Sequence, residues 1–523
     1  MRRSRQEATR PYLGRPQRVH PERFHRERGQ PEGESAEAIV ARKSAKAEGA
    51  KGRTEQERSD RVEDIGAEDA GRLGSDECRH EGKHGSVQEQ AMMEQVLARE
   101  NLLKAWQRVK SNAGAPGIDG MTVEAFPAFC RKHWPRIRAA LMAGTYRPAA
   151  ARRVFIPKPD GRQRPLGVPT VLDRVIQQAL AQVLSPRFEG GFSNHSYGFR
   201  EGRNAHQAVR QVEACWKEGR RHAVDCDLKS FFDTVNHDRL MGQLRKKIHD
   251  RLVLGLIRRY LEAGVVLPDG TREPTTQGVP QGGPLSPLLA NITLDPMDKE
   301  LEKRGHRFAR YADDFLVMVK SAKAAERVMA SLTRYIEEEL KLVVNRAKSK
   351  PAPLKQCAFL GFQIGSAGRM VWTAKAHARF KQRVREITRR NRGHKVQDVI
   401  DELRRYVTGW LNYFGLSHTY TGVTELDEWV RRRVRLYYWK QWKQPRTRRR
   451  HLLALGISRD EVHMATRSRK GYWRMSSNSI VQRALTNRWL HEQGVPDMRT
   501  QWIVLHYGAT CPPKPWRRRK ARV

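Results

Sequence analysis

Cysteine is scarce in this sequence, which has six cysteines among 523 residues. They are scattered along the chain, and no two of them form a Cys-x-x-Cys pair. This spacing argues against a zinc ribbon and against a disulfide framework. Free thiols are typical of a reducing compartment, so we expect a cytoplasmic protein.

Long hydrophobic runs are also missing. No apolar stretch approaches the roughly 18 residues that a membrane-spanning helix requires. The N-terminus is basic, but no apolar segment follows the basic residues, so it does not resemble a secretory signal. We therefore expect no membrane partner.

Acidic residues are few relative to basic ones. The chain has 57 Asp and Glu against 100 Lys and Arg, which gives a formal net charge of +43. A charge of this size is difficult to keep on a compact protein without a polyanionic partner, and nucleic acid is the obvious candidate. A basic surface without specific recognition is the alternative.

Large apolar residues are rare in residues 1–88, which are rich in Arg, Glu, Gly, Ser and Gln. Such a composition cannot bury enough surface to offset the entropy of ordering, so we expect disorder there. The segment either holds RNA loosely through its arginines or is an extension of the reading frame without a role.

Two adjacent carboxylates, Asp313 and Asp314, lie between apolar runs at residues 308–309 and 315–319. The apolar flanks predict two short strands, with the Asp pair at a hairpin bend. Like charges held this close raise each other's pKa unless a cation neutralises them, and Mg²⁺ accepts carboxylates together with substrate phosphate. A solvated turn is the simpler interpretation of the pair alone.

A second acidic stretch, residues 223–233, again places a carboxylate at the end of an apolar strand. Asp227 occupies that end, whereas Asp225 and Asp233 are expected to be structural or peripheral. Two metal ions held by carboxylates from different strands can clamp the attacking and leaving oxygens of a phosphoryl displacement. The two stretches together favour a metal-dependent phosphoryl transfer.

These paired stretches resemble the catalytic palm of reverse transcriptases. From Glu89 onward the chain resembles bacterial group II intron-encoded reverse transcriptases and maturases. The further stretches that carry the resemblance are residues 112–120, 153–167, 196–203, 276–287, 342–350 and 406–414. Many relatives end in a Cys- and His-containing endonuclease domain, which has no counterpart in this sequence, so we expect an endonuclease-less type without second-strand nicking.

The resemblance implies an α+β fold of the right-hand polymerase type, with fingers, an antiparallel palm sheet, a helical thumb and a helical basic C-terminal region. The implied domains are a disordered extension at 1–88, fingers and palm at 89–372, the thumb or maturase domain at 373–455, and a DNA-binding-like region at 456–523. Residues 359–364 are expected to form the strand that closes the palm. Residues 324–340 are expected to form a helix, and so are residues near 481–490.

The resemblance also assigns roles to residues of the palm and fingers. Asp227, Asp313 and Asp314 would be the catalytic residues and would hold two Mg²⁺ ions. The implied nucleotide-binding residues are Lys158, Arg164, Phe232, Gln281 and Lys348. Phe232 would lie under the sugar and clash with a 2′-hydroxyl, which favours deoxynucleotides; a core phenylalanine is the alternative.

Aromatic and basic residues in two other stretches are expected to bind RNA, by base stacking and phosphate contact. The residues expected to contact template or intron RNA are Tyr197, Phe199, Arg200, Arg431, Arg432, Arg433, Trp439, Lys440, Trp442 and Lys443. Packed aromatic residues with a solvated basic face are the alternative for each of them.

The function that follows from the resemblance is an RNA-directed DNA polymerase that also binds its group II intron RNA. It would assist splicing as a maturase and support intron mobility by target-primed reverse transcription. The implied partners are intron RNA, an RNA template with a DNA primer, dNTPs and target DNA, while the oligomeric state stays open. A free-standing reverse transcriptase of a defence, CRISPR-associated or diversity-generating system is the alternative. Such proteins keep the palm but lack the maturase signature.

Overall fold

The structure is a computed structural model that describes residues 87–157, 161 and 163–508. Almost all of the N-terminal extension for which we expect disorder lies outside the described residues, and so does Lys158. Along the described chain, no helix is both long and apolar enough to cross a membrane.

The described part of the chain contains short strands, numbered here in chain order. They are β1 (Ala151–Pro157), β2 (Gln163–Val168), β3 (His222–Cys226), β4 (Val265–Val266), β5 (Arg272–Glu273), β6 (Arg307–Tyr311), β7 (Asp314–Val319), β8 (Lys350–Pro353), β9 (Phe362–Ile364) and β10 (Met370–Trp372). All are shorter than eight residues, so most of the described chain lies in helices and loops.

Helices surround these strands and make up the whole C-terminal part of the described chain. Those before β8 are α1 (Val87–Leu97), α2 (Arg99–Asn112), α3 (Phe126–Met142), α4 (Val171–Glu189), α5 (Ala205–Lys217), α6 (Phe231–Thr234), α7 (His237–Arg245), α8 (Arg251–Glu262), α9 (Ser286–Lys303) and α10 (Ala322–Arg334). Those after β10 are α11 (Ala374–Ile387), α12 (Val396–Phe414), α13 (Tyr420–Gln441), α14 (Pro445–Ala454), α15 (Arg459–Thr466), α16 (Tyr472–Met475), α17 (Ser479–Ala484), α18 (Asn487–Glu492) and α19 (Met498–Tyr507).

Local capping explains where two of the central helices begin. The hydroxyl of Thr170 accepts a hydrogen bond from the backbone N–H of Asp173 at the start of α4. At the start of α5, Asn204 and Gln207 form a reciprocal capping box. Both arrangements satisfy backbone donors that the first helical turn leaves unpaired.

The central sheet has the strand order β6-β7-β3-β8, and all its neighbouring strands are antiparallel. Its two faces pack against different groups of residues because side chains alternate along each strand. One face, which includes Val224 and Phe315, belongs to the large core formed with α4, α7 and α9. The other face, which includes Ala223 and Leu316, packs against α5 and the segment that leads to β9.

A second sheet has the strand order β2-β1-β4-β5. Its main hairpin pairs Arg152 with Val168 at one end and Pro157 with Gln163 at the other. This is the basic hairpin expected from residues 153–167, although most of its turn lies outside the described residues.

The structure corrects the expectation that residues 359–364 close the palm sheet. The outer strand on that side is β8, which pairs with β3, whereas β9 pairs only with β10 within the described sheets. The reason is a tight turn in which Leu360 and Gly361 both have positive φ, 52° and 80°. This turn folds Phe362 back onto Phe359 and directs the chain away from the central sheet.

Two expected helices are shorter than the sequence suggested. The helix expected over residues 324–340 changes to a π-helical turn at Tyr335–Glu339. The helix expected near residues 481–490 is two short helices, α17 and α18, because Thr486 accepts a hydrogen bond from the N–H of Trp489 and starts a new helix.

From α11 onward the described chain is entirely helical, with a separate core of buried aromatic and aliphatic residues. It joins the core on one face of the central sheet through the end of α12, where Tyr413 and Phe414 pack against Phe362 of β9. The α+β class is therefore confirmed, and the domain boundaries at 88, 372 and 455 remain predictions.

Candidate active site

The Asp313–Asp314 stretch forms the expected hairpin. Strands β6 and β7 pair up to Tyr311 and Asp314, so only Ala312 and Asp313 remain in the turn. Ala312 has a φ of 59°, which is uncommon for a residue other than glycine but suits the first position of a two-residue hairpin turn. The turn therefore presents Asp313 at its tip and Asp314 at the first position of β7.

Asp227 lies beside this turn because β3 and β7 are neighbours in the sheet. The antiparallel register pairs Asp225 with Leu316 and Cys226 with Phe315, so Asp227 follows at the level of Asp314. Residues at directly opposite positions have Cα atoms about 4.5–5.5 Å apart. The sheet thus brings together the three carboxylates that the sequence predicted as catalytic.

Asp225 joins this acidic group, although the sequence suggested a peripheral place for it. It lies two residues before Asp227 on the same side of β3, as expected from the alternation of side chains. Its register partner on β8 is Lys350, whose charge lowers the pKa of Asp225 against the larger raising effect of burial. Asp225 is the charged group that most strongly raises the pKa of Asp314.

Burial and neighbouring carboxylates both raise the pKa values of the turn carboxylates. Loss of bulk water around Asp314, followed by the charges of Asp225, Asp313 and Asp227, raises the pKa of Asp314 to about 7. Asp314 still keeps solvent access, because its surface is exposed at the start of β7. Burial likewise raises the pKa of Asp313.

The carboxylate of Asp227 is held by two residues of the loop that follows the π-helical turn. Asn345 donates a hydrogen bond of 2.7 Å from Nδ2 to Oδ2 of Asp227, and Lys348 Nζ lies 3.2 Å from the same oxygen. The backbone N–H of Asp227 donates to Ser349 Oγ at 3.0 Å. Lys348, expected near the nucleotide phosphates, is therefore in direct contact with a predicted metal ligand.

Divalent cations with a preference for oxygen suit this donor set. Four aspartates contribute hard oxygen ligands of the kind that Mg²⁺ binds. Within the described residues no group of three or more His, Cys, Asp or Glu side chains is already arranged to hold a metal ion. The fit rests instead on the clustering of these carboxylates, whose mutual repulsion adds to the effect of burial on the pKa of Asp314 and would be relieved by a cation.

The fingers hairpin faces the same carboxylates. The charge of Arg164, on β2, lowers the pKa of Asp313 and opposes the effect of burial. Three residues further along β2, Gly167 donates a backbone hydrogen bond of 2.8 Å to the carbonyl of Gln281. Arg164 and Gln281 are thereby brought to one edge of the site.

The Gly-rich loop around Gln281 needs glycine for close backbone contact. Gly282 has a φ of 132°, and a Cβ atom there would lie 2.5 Å from the carbonyl oxygen of Gly167. Val279 donates a backbone hydrogen bond of 2.6 Å to the carbonyl of Phe232, which joins this loop to the residue expected under the sugar. Phe232 is half-buried and packs edge-to-face on Phe231.

Comparison with known proteins identifies the family. The family model "Reverse transcriptase (RNA-dependent DNA polymerase)" matches residues 156–364, and "Group II intron, maturase-specific domain" matches residues 377–456. Protein YkfC of Escherichia coli (strain K12) is 33% identical over 320 residues, which cover 53% of this chain and 84% of YkfC. This chain belongs to the group II intron reverse transcriptases.

Two further similarities accompany the assignment. The group II intron-encoded protein LtrA of Lactococcus lactis subsp. cremoris is 30% identical over 326 residues, which cover 50% of this chain and 54% of LtrA. The chain thus spans about half the length of LtrA. One chain of a solved structure, a partial Cas6-RT-Cas1–Cas2 complex, is 25% identical over 48% of this chain and 43% of its own length, with a TM-score of 0.32.

Membership gives this reverse transcriptase an RNA-directed DNA polymerase domain followed by a maturase domain, as the sequence predicted. The right-hand polymerase fold is confirmed on the same ground, with the antiparallel β6-β7-β3-β8 sheet as its palm. The stretch from Ala374 onward, where the chain becomes helical, contains the maturase match.

The expected template-binding residues are not all on the surface of this reverse transcriptase. Phe199 is 47% exposed, and its ring lies 6.4 Å from that of Tyr311. The structure corrects the expected role of Tyr197 and Arg200 in template binding, because both side chains are buried. Arg200 is held by Glu189 and by backbone carbonyls, so it stabilises the loop and is not free to contact a base.

The expected RNA-binding residues of the maturase domain divide in the same way. The structure corrects the expected RNA-binding role of Trp439, Trp442 and Arg431, since all three side chains are buried in the helical core. Arg431 forms an ion pair with Asp427, four residues before it on α13. The other four expected residues, Arg432, Arg433, Lys440 and Lys443, are half-buried or exposed.

Three residues that the sequence did not predict as site residues contact the carboxylates or the segments next to them. They are Arg310, Asn345 and Tyr413. Tyr413 lies on α12 of the maturase domain, and its hydroxyl donates a hydrogen bond of 2.9 Å to the carbonyl of Leu360. Burial raises the pKa of Tyr413, and the charges of Tyr311 and Asp314 act in the same direction. The available sequence signal was position, since Arg310 directly precedes Tyr311 and Asn345 lies within the stretch 342–350.

Proposed function

We propose that this reverse transcriptase adds deoxynucleotides to a DNA primer on an RNA template at the carboxylates of Asp227, Asp313 and Asp314. The observation that carries the proposal is the β3–β7 register, which puts Asp227 at the level of Asp314. Carboxylates from two strands that meet at one edge suit the binding of two Mg²⁺ ions. Bound ions would lower the pKa of the primer 3′-hydroxyl and stabilise the negative charge of the leaving pyrophosphate.

The residues around the carboxylates are proposed to bind the incoming nucleotide. The planar guanidinium of Arg164, whose charge reaches Asp313, suits phosphate oxygens, and Lys158 would add a point charge. Gln281 is joined to the strand of Arg164 through its backbone contact with Gly167. Phe232 would exclude a ribose 2′-hydroxyl, and Lys348 would turn from Asp227 to the phosphates once a cation neutralises that aspartate.

Intron RNA is proposed to bind a basic surface of the maturase domain, here called the basic face. Its residues come from α11, the loop after it, α13, α14 and α16, and are Arg385, Arg390, Arg433, Lys440, Arg448 and Tyr472. The cationic groups of Arg390, Lys440 and Arg448 each lie 5.4–5.8 Å from the centre of the Tyr472 ring. The charges of Arg385 and Arg390 lower the pKa of Arg433, after a larger effect of burial. Such a concentration of positive charge around an aromatic ring suits an RNA backbone with an unstacked base.

The wider biological role follows from the family and is proposed with it. The protein would assist the splicing of its intron and support the mobility of the intron into target DNA by target-primed reverse transcription. Its location would be the cytoplasm. The alternative of a free-standing reverse transcriptase is disfavoured because residues 377–456 match the maturase-specific domain.

The polymerase proposal is tested by deoxynucleotide incorporation on an RNA template annealed to a DNA primer in Mg²⁺. We expect the native protein to extend the primer, and Asp313→Ala to reduce extension at least about 100-fold while intron RNA binding stays unchanged. Asp269→Ala, at an exposed turn aspartate, is the matched control and should extend normally. Parallel loss of extension and RNA binding in Asp313→Ala would refute the separation of the two functions.

A further inference from the structure

Arg310, the residue before Tyr311, is completely buried although it carries a charge. Its Nε donates a hydrogen bond of 2.8 Å to Asp298 Oδ1, and its Nη2 contacts the other oxygen of that carboxylate. Asp298 is equally inaccessible, so the two charges form an ion pair without water. Taking each ion out of water costs several kcal/mol, and the pair is stable only if the remaining donors are also satisfied.

The remaining nitrogen of the guanidinium reaches the catalytic turn. Nη1 of Arg310 donates hydrogen bonds to Asn291 Oδ1 at 2.9 Å and to the carbonyl of Ala312 at 3.0 Å. Ala312 is the turn residue with the positive φ, directly before Asp313. The buried ion pair of the palm is thus bonded to the peptide group that sets the direction of the two catalytic carboxylates.

A second contact packs against the same turn. The backbone of Gly198 lies so close to it that a Cβ atom would be 2.3 Å from the nitrogen of Ala312. Asn291 Nδ2 donates a hydrogen bond of 2.9 Å to the carbonyl of Gly198. Asn291 therefore links the two contacts, since its oxygen accepts from Arg310 and its nitrogen holds Gly198.

Stability alone does not require this arrangement. Replacing a buried ion pair by apolar residues of similar volume is often neutral or stabilising, whereas removing one partner is strongly destabilising. An apolar pair at positions 310 and 298 could fill the space but could not donate to the carbonyl of Ala312. The hydrogen bond to the turn is the contribution that only the charged pair makes.

We infer that Arg310 is a positioning residue of the metal site. It fixes the orientation of Asp313 and Asp314 through its hydrogen bond to the carbonyl of Ala312. This inference rests on the proposed function, because it concerns the same carboxylates. Outer groups that orient metal ligands typically change metal affinity or activity about 10- to 100-fold when they are removed.

The test uses the double variant Arg310→Met/Asp298→Leu, because either single change would leave a buried charge without a partner. Mn²⁺, which replaces Mg²⁺ and gives an electron paramagnetic resonance signal, is titrated into the full-length protein to measure its affinity. Thermal unfolding and the Mg²⁺ dependence of primer extension are measured on the same preparations. We expect an unfolding temperature near the native one, a Mn²⁺ affinity about tenfold weaker and a higher Mg²⁺ requirement.

The matched control is Arg431→Met/Asp427→Leu, which replaces the buried ion pair of the maturase domain and should leave Mn²⁺ affinity unchanged. Asp227→Asn identifies the Mn²⁺ signal that belongs to the palm. Native Mn²⁺ affinity in the palm double variant, or no Asp227-dependent Mn²⁺ site in the native protein, would overturn the inference. A native protein that binds Mn²⁺ but extends no primer would contradict the proposed function instead, and the Mn²⁺ affinities would still decide the role of Arg310.

Discussion

The hydroxyl of Tyr413 donates a hydrogen bond of 2.9 Å to the carbonyl of Leu360, which joins the maturase domain to the palm. The backbone N–H of Leu360 in turn lowers the pKa of Asp314, against the larger effect of burial. The ring of Phe414 packs on the same turn, where a Cβ atom at Gly361 would lie 3.0 Å from it. One end of helix α12 therefore supports the segment next to the clustered carboxylates.

Tyr413→Phe should reduce primer extension while leaving intron RNA affinity unchanged. The substitution removes one hydrogen bond, worth about 1 kcal/mol, and keeps the ring in the core. If that energy is lost from the transition state, the rate should fall roughly fivefold. The matched control is Tyr437→Phe, since the Tyr437 hydroxyl donates a 2.9 Å bond to the carbonyl of His394 within the maturase domain. Equal rates for the two variants would contradict a specific link to the palm.

Phe232→Ala should allow ribonucleotides into the site. The half-buried ring would no longer clash with a 2′-hydroxyl, so the preference for dGTP over GTP should fall by roughly 100-fold, mainly through faster use of GTP. The measurement is the ratio of kcat/KM values for the two nucleotides. Phe231→Leu, at the fully buried neighbour, serves as the control for general loosening of the helix. An unchanged ratio with intact dGTP use would show that Phe232 is only a core residue.

The double variant Arg390→Gln/Lys440→Gln should weaken intron RNA binding and make it less dependent on salt. Each lost phosphate contact lowers the slope of log affinity against log salt concentration by about 1. The control variant is Lys320→Gln/Lys323→Gln, which removes the same charge from an exposed position at the start of α10. If both double variants changed the slope equally, binding would depend on net charge and not on the basic face.

The buried carboxyl group of Asp173 should make the folded protein less stable as pH rises. Burial raises its pKa, although hydrogen bonds from Thr170 and Tyr146 oppose this effect. The folded protein therefore holds the proton more tightly than the unfolded chain, and the free energy of unfolding should fall as pH increases from about 4 through the raised pKa. Asp173→Asn should remove this part of the pH dependence, which unfolding temperatures at several pH values would show. Parallel curves for the two proteins would contradict the assigned shift.

The hairpin around Asp313 and Asp314 could be predicted from the sequence because its information is local. Apolar flanks and two polar residues between them define both strands and the turn. The meeting of this hairpin with Asp227 could not be derived locally, since the strand order depends on long-range pairing; the family resemblance supplied it. The same limit applies to residues 359–364, where the turn at Leu360 and Gly361 separates β9 from the palm sheet.

The maturase domain shows a different limit. Trp439 and Trp442 alternate with basic residues, a pattern that suits RNA binding as well as a buried aromatic seam, and the second alternative holds. A signal was available for Arg431, because Asp427 stands four residues before it and can neutralise it on the same helix face. For Arg310 the partner Asp298 lies on another element, so only the structure reveals that its charge is buried.

The central claim, that Asp227 and the turn at Asp313 share bound metal, is tested most directly by replacing Mg²⁺ with Fe²⁺ and mapping cuts in the protein chain. Fe²⁺ with ascorbate and peroxide generates hydroxyl radicals that cleave the backbone next to the ion. We predict cuts near residues 227 and 313 in the same sample, both suppressed by excess Mg²⁺ and both lost in Asp227→Asn. Cuts at only one of these two places, or cuts near residue 313 that persist in Asp227→Asn, would contradict a shared metal site.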